Sequence, residues 1–167
     1  PPRSTLFPYT TLFRSLNVLA DDPKLIRSAR STVIVTPHPG EMGRLLGRDA
    51  AMIQADRVGS ARAAAALTGA LVVLKGAGTI VTTREGSAFI NMTGNPGMAR
   101  GGSGDILAGL LAGLLAQGIA PLDAARAGVF LHGRAGDMAA WRSSQSGMVA
   151  GDIIGELPYA FRELVLR

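Results

Sequence analysis

The stretch GNPGMARGGSGDILAGLLAGLLAQG, Gly94 to Gly118, decides how the rest of the chain is read. Its first half places glycine at 94, 97, 101, 102 and 104, and its second half is an apolar run at helical spacing. Glycines let a backbone approach a ligand with no Cβ in the way. The first turn of a helix presents unpaired N–H groups and the positive end of the macrodipole, which together attract phosphate oxygens. Gly101, Gly102 and Ser103 are therefore expected to form an anion hole, with Gly104 beside it. Asp105 falls in the same turn, where a carboxylate stays ionised and is suited to accept a proton from an attacking hydroxyl. Taken alone, the pattern serves equally well as a helix capped by Ser103, with Asp105 complementing the dipole. The spacing matches neither GxxxxGK[ST] nor GxGxxG.

Upstream, Thr32–Thr36 and Ala70–Lys75 are short, continuously apolar runs that predict buried parallel strands. Helices are predicted over Leu16–Ala29 (re-started at Pro23), Gly40–Leu46 and Asp56–Thr68, the last stopped by Gly69. Thr79–Thr83 and Ala88–Asn91 flank a hairpin turn at Arg84–Ser87. Met92–Gly102 is a loop, and helices follow over Ser103–Gln117, Leu122–Trp141 and Ala150–Val165. Strands alternating with helices predict an α/β fold with a mainly parallel sheet flanked by helices.

Residues 1–15, PPRSTLFPYTTLFRS, lack periodicity and an apolar face and resemble translated adapter sequence. They are expected to be a non-native segment, with one domain running over 16–167. The 167 residues are 47% hydrophobic and 17% charged, with 22 glycines, which suits a single packed α/β unit. No cysteine is present, which excludes disulfides, zinc-thiolate centres and a cysteine nucleophile. The net charge of +5 comes from scattered basic residues without a run or aromatic interleaving, so nucleic acid is not an expected partner. The longest apolar stretch, Ile106–Ala116, is too short for a bilayer, and a cytoplasmic protein is expected.

With these residues read, the resemblance becomes specific. The 94–118 stretch is similar to the signature of the NAD(P)H-hydrate dehydratase family within the ribokinase-like superfamily. TVIVTPHPGEMGRLLG (Thr32–Gly47), VVLKGAGTIVTT (Val72–Thr83) and LHGRAGDMAA (Leu131–Ala140) resemble other family segments, in the family's order from about Leu16 to the C-terminus. The resemblance implies that Asp105 is the catalytic base and contacts the hydrated nicotinamide. It implies that Lys75, Gly76, Ala77, Gly78 and Thr79, with Gly104, bind the adenine nucleotide. Without the other motifs, residues 75–79 would read as a plain strand–turn–strand with a solvated lysine.

His38, held between two prolines, would bind the hydrated dinucleotide. Glu41 matches an acidic position that related kinases use near Mg2+, often through water, yet it suits a helix cap equally well. His132, inside a helix with apolar neighbours, is expected in the core or an interface and receives no role.

The implied reaction is phosphorylation of the ring hydroxyl of the (6S) hydrate of NADH or NADPH by ADP or ATP, followed by loss of phosphate. The implied cofactor is Mg2+, and an NAD(P)H-hydrate epimerase is the implied functional partner. Whether the donor is ADP or ATP, and whether the chain is a homo-oligomer, stay open.

Two departures from the family pattern stand out. A family strand ending in an acidic segment is replaced by ThrThrLeuPheArgSer before Leu16. A long N-terminal portion is also lacking, so the chain is expected to be the C-terminal part of the domain and by itself unstable or inactive. Arg100 replaces a small hydroxyl residue, and its guanidinium either adds a phosphate contact or points to solvent. A ribokinase-like kinase of a vitamin precursor and a non-catalytic nucleotide-binding module are the competing readings.

Overall fold

The computed structural model describes residues 10–12 and 22–165. Among these, five strands form one sheet in the order β1 (Thr10–Leu12), β2 (Val33–Val35), β3 (Leu71–Leu74), β4 (Thr79–Thr82) and β5 (Ala88–Asn91). β1, β2 and β3 run parallel, and the hairpin β4–β5 extends the sheet antiparallel. Every residue of β2 and β3 is buried, as strands covered on both faces require. The hairpin turns where Gly86, at φ 89°, lets its N–H reach the Thr83 carbonyl. Thr10–Leu12, inside the stretch set apart in the sequence, pairs in parallel register with β2.

The side-chain alternation of the strands separates two helical layers. Val33, Val35, Val72 and Leu74 face one layer. It is built by α1 (Lys24–Arg27), α2 (Pro39–Leu46), α3 (Ala50–Ala55) and α4 (Arg57–Thr68). Ile34, Leu71, Val73 and Val81 face the opposite layer, where α5 (Ser103–Ala116) presents Leu107, Leu111, Leu114 and Leu115. α6 (Pro121–Ser143) packs on α5, and α7 (Ala150–Val165) closes a third cluster with Leu131, Met148 and Ile153. A Cβ at Gly128 would lie 2.6 Å from Leu111, so glycine there sets how closely α6 approaches α5.

The helix ends follow local chemistry. Gly47 and Gly69 stop α2 and α4 in left-handed conformation, and Gly69 is the stop predicted from sequence. The helix predicted over 16–29 is described only from residue 22, and there it is α1; the remainder lies outside the described residues. α3 was not predicted. It is six residues long, and its main local signal is Asp49, whose carboxylate caps it at the Met52 N–H.

One contact ties α6 to the start of α5. His132 Nε2 lies 2.9 Å from the Ser103 carbonyl and 3.3 Å from its hydroxyl. Burial drives the imidazole pKa down from 6.5 to about 4. The bond to the Ser103 carbonyl opposes the shift, and the nearby Lys75 charge adds to it. The folded chain thus refuses a proton that the unfolded chain accepts once pH drops below 6.5. The resulting stability is complete above that pH and is lost as pH falls towards 4, on the order of 3 kcal/mol in all. Urea denaturation across this window should show the native chain losing stability more steeply than His132→Asn. Parallel loss in the two chains would mean that His132 takes up its proton in the folded state.

Candidate active site

The site is built where β2 and β3 end. His38 follows β2 and occupies the N-cap of α2, with Pro39 in the first helical turn. Its Nδ1 accepts from the N–H groups of Gly40 and Glu41 at 3.1 and 3.2 Å. In return Glu41 Oε2 accepts from the His38 N–H at 2.7 Å. This is a capping box in which imidazole replaces the usual hydroxyl. Because Nδ1 is committed as an acceptor, the neutral ring carries its proton on Nε2, at the exposed end of the side chain. Of the two uses foreseen for Glu41, the cap is the one the geometry forms.

Lys75 sits at the end of β3, and its N–H bonds the Pro37 carbonyl, joining the two strand ends. Its ammonium lies 3.8 Å from Glu41 Oε2. After it the chain turns through Gly76 at φ 137° and Gly78 at φ 63°, conformations that disfavour a side chain. Arg57, at the start of α4, supports this turn, with Nη2 3.3–3.4 Å from the carbonyls of Leu74, Lys75 and Gly78. Burial lowers the Arg57 pKa, yet an arginine remains charged throughout the physiological range. A Cβ at Gly76 would fall 2.8 Å from that guanidinium. With these carbonyls drawn to Arg57, the amides of Gly76 and Ala77 find no acceptor among the described residues.

The glycine-rich segment forms the facing wall. It contains a 3-10 turn (Pro96–Met98) and enters α5 through Gly102, whose φ of 91° ends the loop. No side chain caps α5. Ser103, foreseen as an alternative cap, is buried, and its hydroxyl turns to His132 instead. The Gly104 N–H has no acceptor among the described residues. Arg100 lines the site and is anchored by main-chain carbonyls. Its Nε donates to the Gly97 carbonyl at 3.1 Å, and Nη2 donates to those of Gln145 and Ser146.

A cavity of about 720 Å³ lies between these walls. His38, all of Lys75–Thr79, Ser103 and Gly104 line it, as do Arg100, the loop residues Thr93–Pro96, and His132. Most of the residues singled out in the sequence therefore meet in one place. Asp105 stands one residue beyond Gly104 with its side chain exposed, and Gly101 and Gly102 are likewise exposed; none of the three belongs to the cavity wall. Among the described residues no cluster of three or more His, Cys, Asp or Glu is placed to hold a metal ion.

Sequence reading missed His132 and Arg57 as parts of the site. His132 carried a signal, since it sits beside Gly133 and Gly136 in one helix, a face bare enough for a loop to dock. Arg57 carried none.

A family model described as NAD(P)H-hydrate dehydratase matches residues 14–159. The chain is 49% identical over 150 residues to the bifunctional NAD(P)H-hydrate repair enzyme Nnr of Moorella thermoacetica, covering 90% of this chain and 28% of that protein. It is 43% identical over 152 residues to the ADP-dependent (S)-NAD(P)H-hydrate dehydratase of Neisseria meningitidis, covering 90% of this chain and 50% of that one. Among solved structures, the ADP/ATP-dependent NAD(P)H-hydrate dehydratase of Bacillus subtilis, co-crystallized with ATP/Mg2+, superimposes with a TM-score of 0.77 at 33% identity. That match covers 80% of this chain and 48% of the other. The chain thus spans half or less of the length of these relatives, and over that span it belongs to the NAD(P)H-hydrate dehydratase family.

Proposed function

We propose that this chain carries the phosphoryl-transfer part of an ADP- or ATP-dependent dehydratase that returns the (6S) hydrate of NADH or NADPH to NADH or NADPH. The observation that carries the proposal is the shared cavity. The Lys75–Thr79 turn and the uncapped start of α5 face each other across it, with His38 at the edge. The first wall offers the amides of Gly76 and Ala77 and the second that of Gly104, none with an acceptor among the described residues, which is the chemistry that phosphoryl oxygens need.

In this reading Lys75 and the amides of the 76–79 turn hold the nucleotide phosphates, and Gly104 touches the nucleotide from the opposite wall. Gly101, Gly102 and Ser103 close the anion hole in the loaded site. Asp105 accepts the proton of the ring hydroxyl as its oxygen attacks the terminal phosphoryl group, so the nucleotide leaves one phosphate shorter. The C–O bond of the phosphorylated hydrate then breaks, pushed by the ring nitrogen lone pair. Phosphate departs, and loss of a ring proton restores the dihydronicotinamide. Hydroxide is a poor leaving group and phosphate a good one, so phosphorylation is the step that makes dehydration accessible. His38, with its Nε2 proton directed outward, orients the hydrated ring or its amide.

The Bacillus relative was crystallized with Mg2+. Such an ion binds through one or two carboxylates plus substrate phosphates, and bound there it would neutralise phosphate charge. Glu41 fits as one such carboxylate acting through water, because its oxygens are already shared with the His38 N–H and Lys75. An epimerase that supplies the correct hydrate epimer is the natural functional partner. No helix among the described residues is long and apolar enough to cross a membrane.

Two substitutions test the reading. Asp105→Asn should lower hydrate turnover about 100- to 10,000-fold, the usual span for losing a general base, and leave nucleotide affinity nearly unchanged. The assay follows regained absorbance of reduced nicotinamide together with released phosphate. A stable phosphorylated product would instead identify a kinase, and turnover indifferent to Asp105 would remove it as the base. Lys75→Met should weaken nucleotide binding roughly 10- to 100-fold by titration calorimetry, as loss of a charge-assisted contact predicts. Unaltered affinity would place the nucleotide elsewhere.

A further inference from the structure

The end of β5 and the first residues of the glycine-rich loop bond to one side of α6 between Val129 and Asp137. Asn91 Nδ2 donates to the Val129 carbonyl, and the Thr93 hydroxyl donates to that of Phe130. Asn95 Nδ2 reaches the Gly136 carbonyl at 2.9 Å. Such contacts between a loop and a helix backbone need a helix face without side chains. A Cβ on Gly133 would run into Thr93 Oγ1, and one on Gly136 into Met98 Sδ. At the end of this bare face stands Asp137. Its Oδ2 accepts from the Gly94 N–H and its Oδ1 from Asn95 Nδ2, both at 3.0 Å. Asn95 Oδ1 in turn accepts from the Gly97 N–H, starting the 3-10 turn.

We propose that Asp137 is a positioning residue: through Gly94 and Asn95 it sets the shape of the loop that delivers the start of α5 to the cavity, without touching a ligand itself. The inference rests on the functional reading above for what the loop serves, and on hydrogen bonds alone for how it is held. Asp137 is the only one of these partners that supplies two acceptors at once. An ionised carboxylate has no donor, so both loop donors are satisfied in a single arrangement. Asparagine at this position sets an NH2 group against one of them. The turn at Lys75–Thr79 rests on Arg57 and is independent of this latch. Gly104 is one nucleotide contact against the whole Lys75–Thr79 turn, so the signature is a loss of turnover much larger than the loss of nucleotide affinity.

The experiment compares the 167-residue chain with Asp137→Asn, Asn95→Asp and the double variant. In the double variant, donor and acceptor change places between the two side chains. Gly94 and Gly97 keep acceptors, while the Gly136 carbonyl exchanges its side-chain donor for a carboxylate oxygen, so recovery is partial. Asp137→Asn should speed amide hydrogen exchange at Gly94 and Gly97 at least about 10-fold, leave the amides of β2 and β3 unchanged, and reduce kcat roughly 10- to 100-fold. Its nucleotide Kd should stay within about threefold. The double variant should recover about half of each loss on a logarithmic scale. Gly136→Ala, which presses on Met98 without altering Asp137, provides a second route to the same pattern should Asp137→Asn fail to fold.

Exchange and kcat both unaffected in Asp137→Asn, or nucleotide affinity falling as steeply as kcat, would overturn the proposal. A native chain that binds no adenine nucleotide, yet shows the stated exchange pattern and its rescue, would overturn the functional reading and leave the latch standing.

Discussion

A helix that begins inside a protein leaves its first amides without partners, and something must meet them. At the start of α5 the N–H groups of Ser103, Asp105 and Ile106 turn to the carbonyls of Arg100 and Gly102, and among the described residues only the Gly104 N–H is left unmet. Gly102 brings no side chain to the cap position, and Ser103, the residue chemically able to serve, has its hydroxyl turned to His132. A serine or threonine cap commonly contributes about 1 kcal/mol, and here that contribution is forgone. The surrounding structure is arranged around the vacancy in hydrogen bonding. The loop before it is pinned by Arg100 and Asp137, and the carbonyl after it is held by His132. A local rule broken amid such support is what the proposed phosphate site would require at this position.

The same logic appears on the facing wall in a different form. There the backbone is turned by Gly76 and Gly78, and a buried guanidinium gathers its carbonyls, leaving amides available on the other side. Glu41 links the two strand ends electrostatically: one oxygen pairs with Lys75 and accepts from the His38 N–H, and the other lies 3.6 Å from His38 Nε2. One carboxylate thus pairs with a lysine and holds the His38 main chain at once, while the imidazole tautomer is set by the Gly40 and Glu41 N–H groups at Nδ1. A partly shielded carboxylate of this kind interacts more strongly than an exposed one, because less water screens it.

Much of this was legible in the sequence. Continuous β-branched and leucine runs gave β2 and β3 because burial on both faces leaves no room for alternation. Gly69 and the Arg84–Ser87 turn gave element ends because left-handed backbone selects glycine. The motif residues His38 and Lys75–Thr79, with Ser103 and Gly104, meet in one cavity because strand ends and helix starts are fixed by the same local signals that made them readable. The supports were not legible. Arg57, Arg100 and Asp137 all act by bonding main-chain groups 17 to 46 residues away, except for the local Arg100–Gly97 bond. Such bonds have no periodicity and ask nothing distinctive of the receiving side chain. Asp105, readable as a first-turn carboxylate, stands outside the cavity wall because spacing specifies a turn of helix but not the direction of a side chain.

The two walls hang on separate frames, and this has a consequence for how the site works. The 75–79 turn is braced by Arg57 from α4, in the layer on one side of the sheet; the glycine loop is braced by α6, in the layer on the other. The sheet between them is the common reference. Strain applied to one frame reaches the other only through β3 and the packed residues of the sheet, which deform little at interior density. The two walls are therefore mechanically separable in this fold. Variation along α6 reshapes the glycine loop while the Arg57 bracing of the strand-end turn stays in place, so, in the proposed reading, placement of the reacting groups would be tuned apart from the strand-end nucleotide contacts.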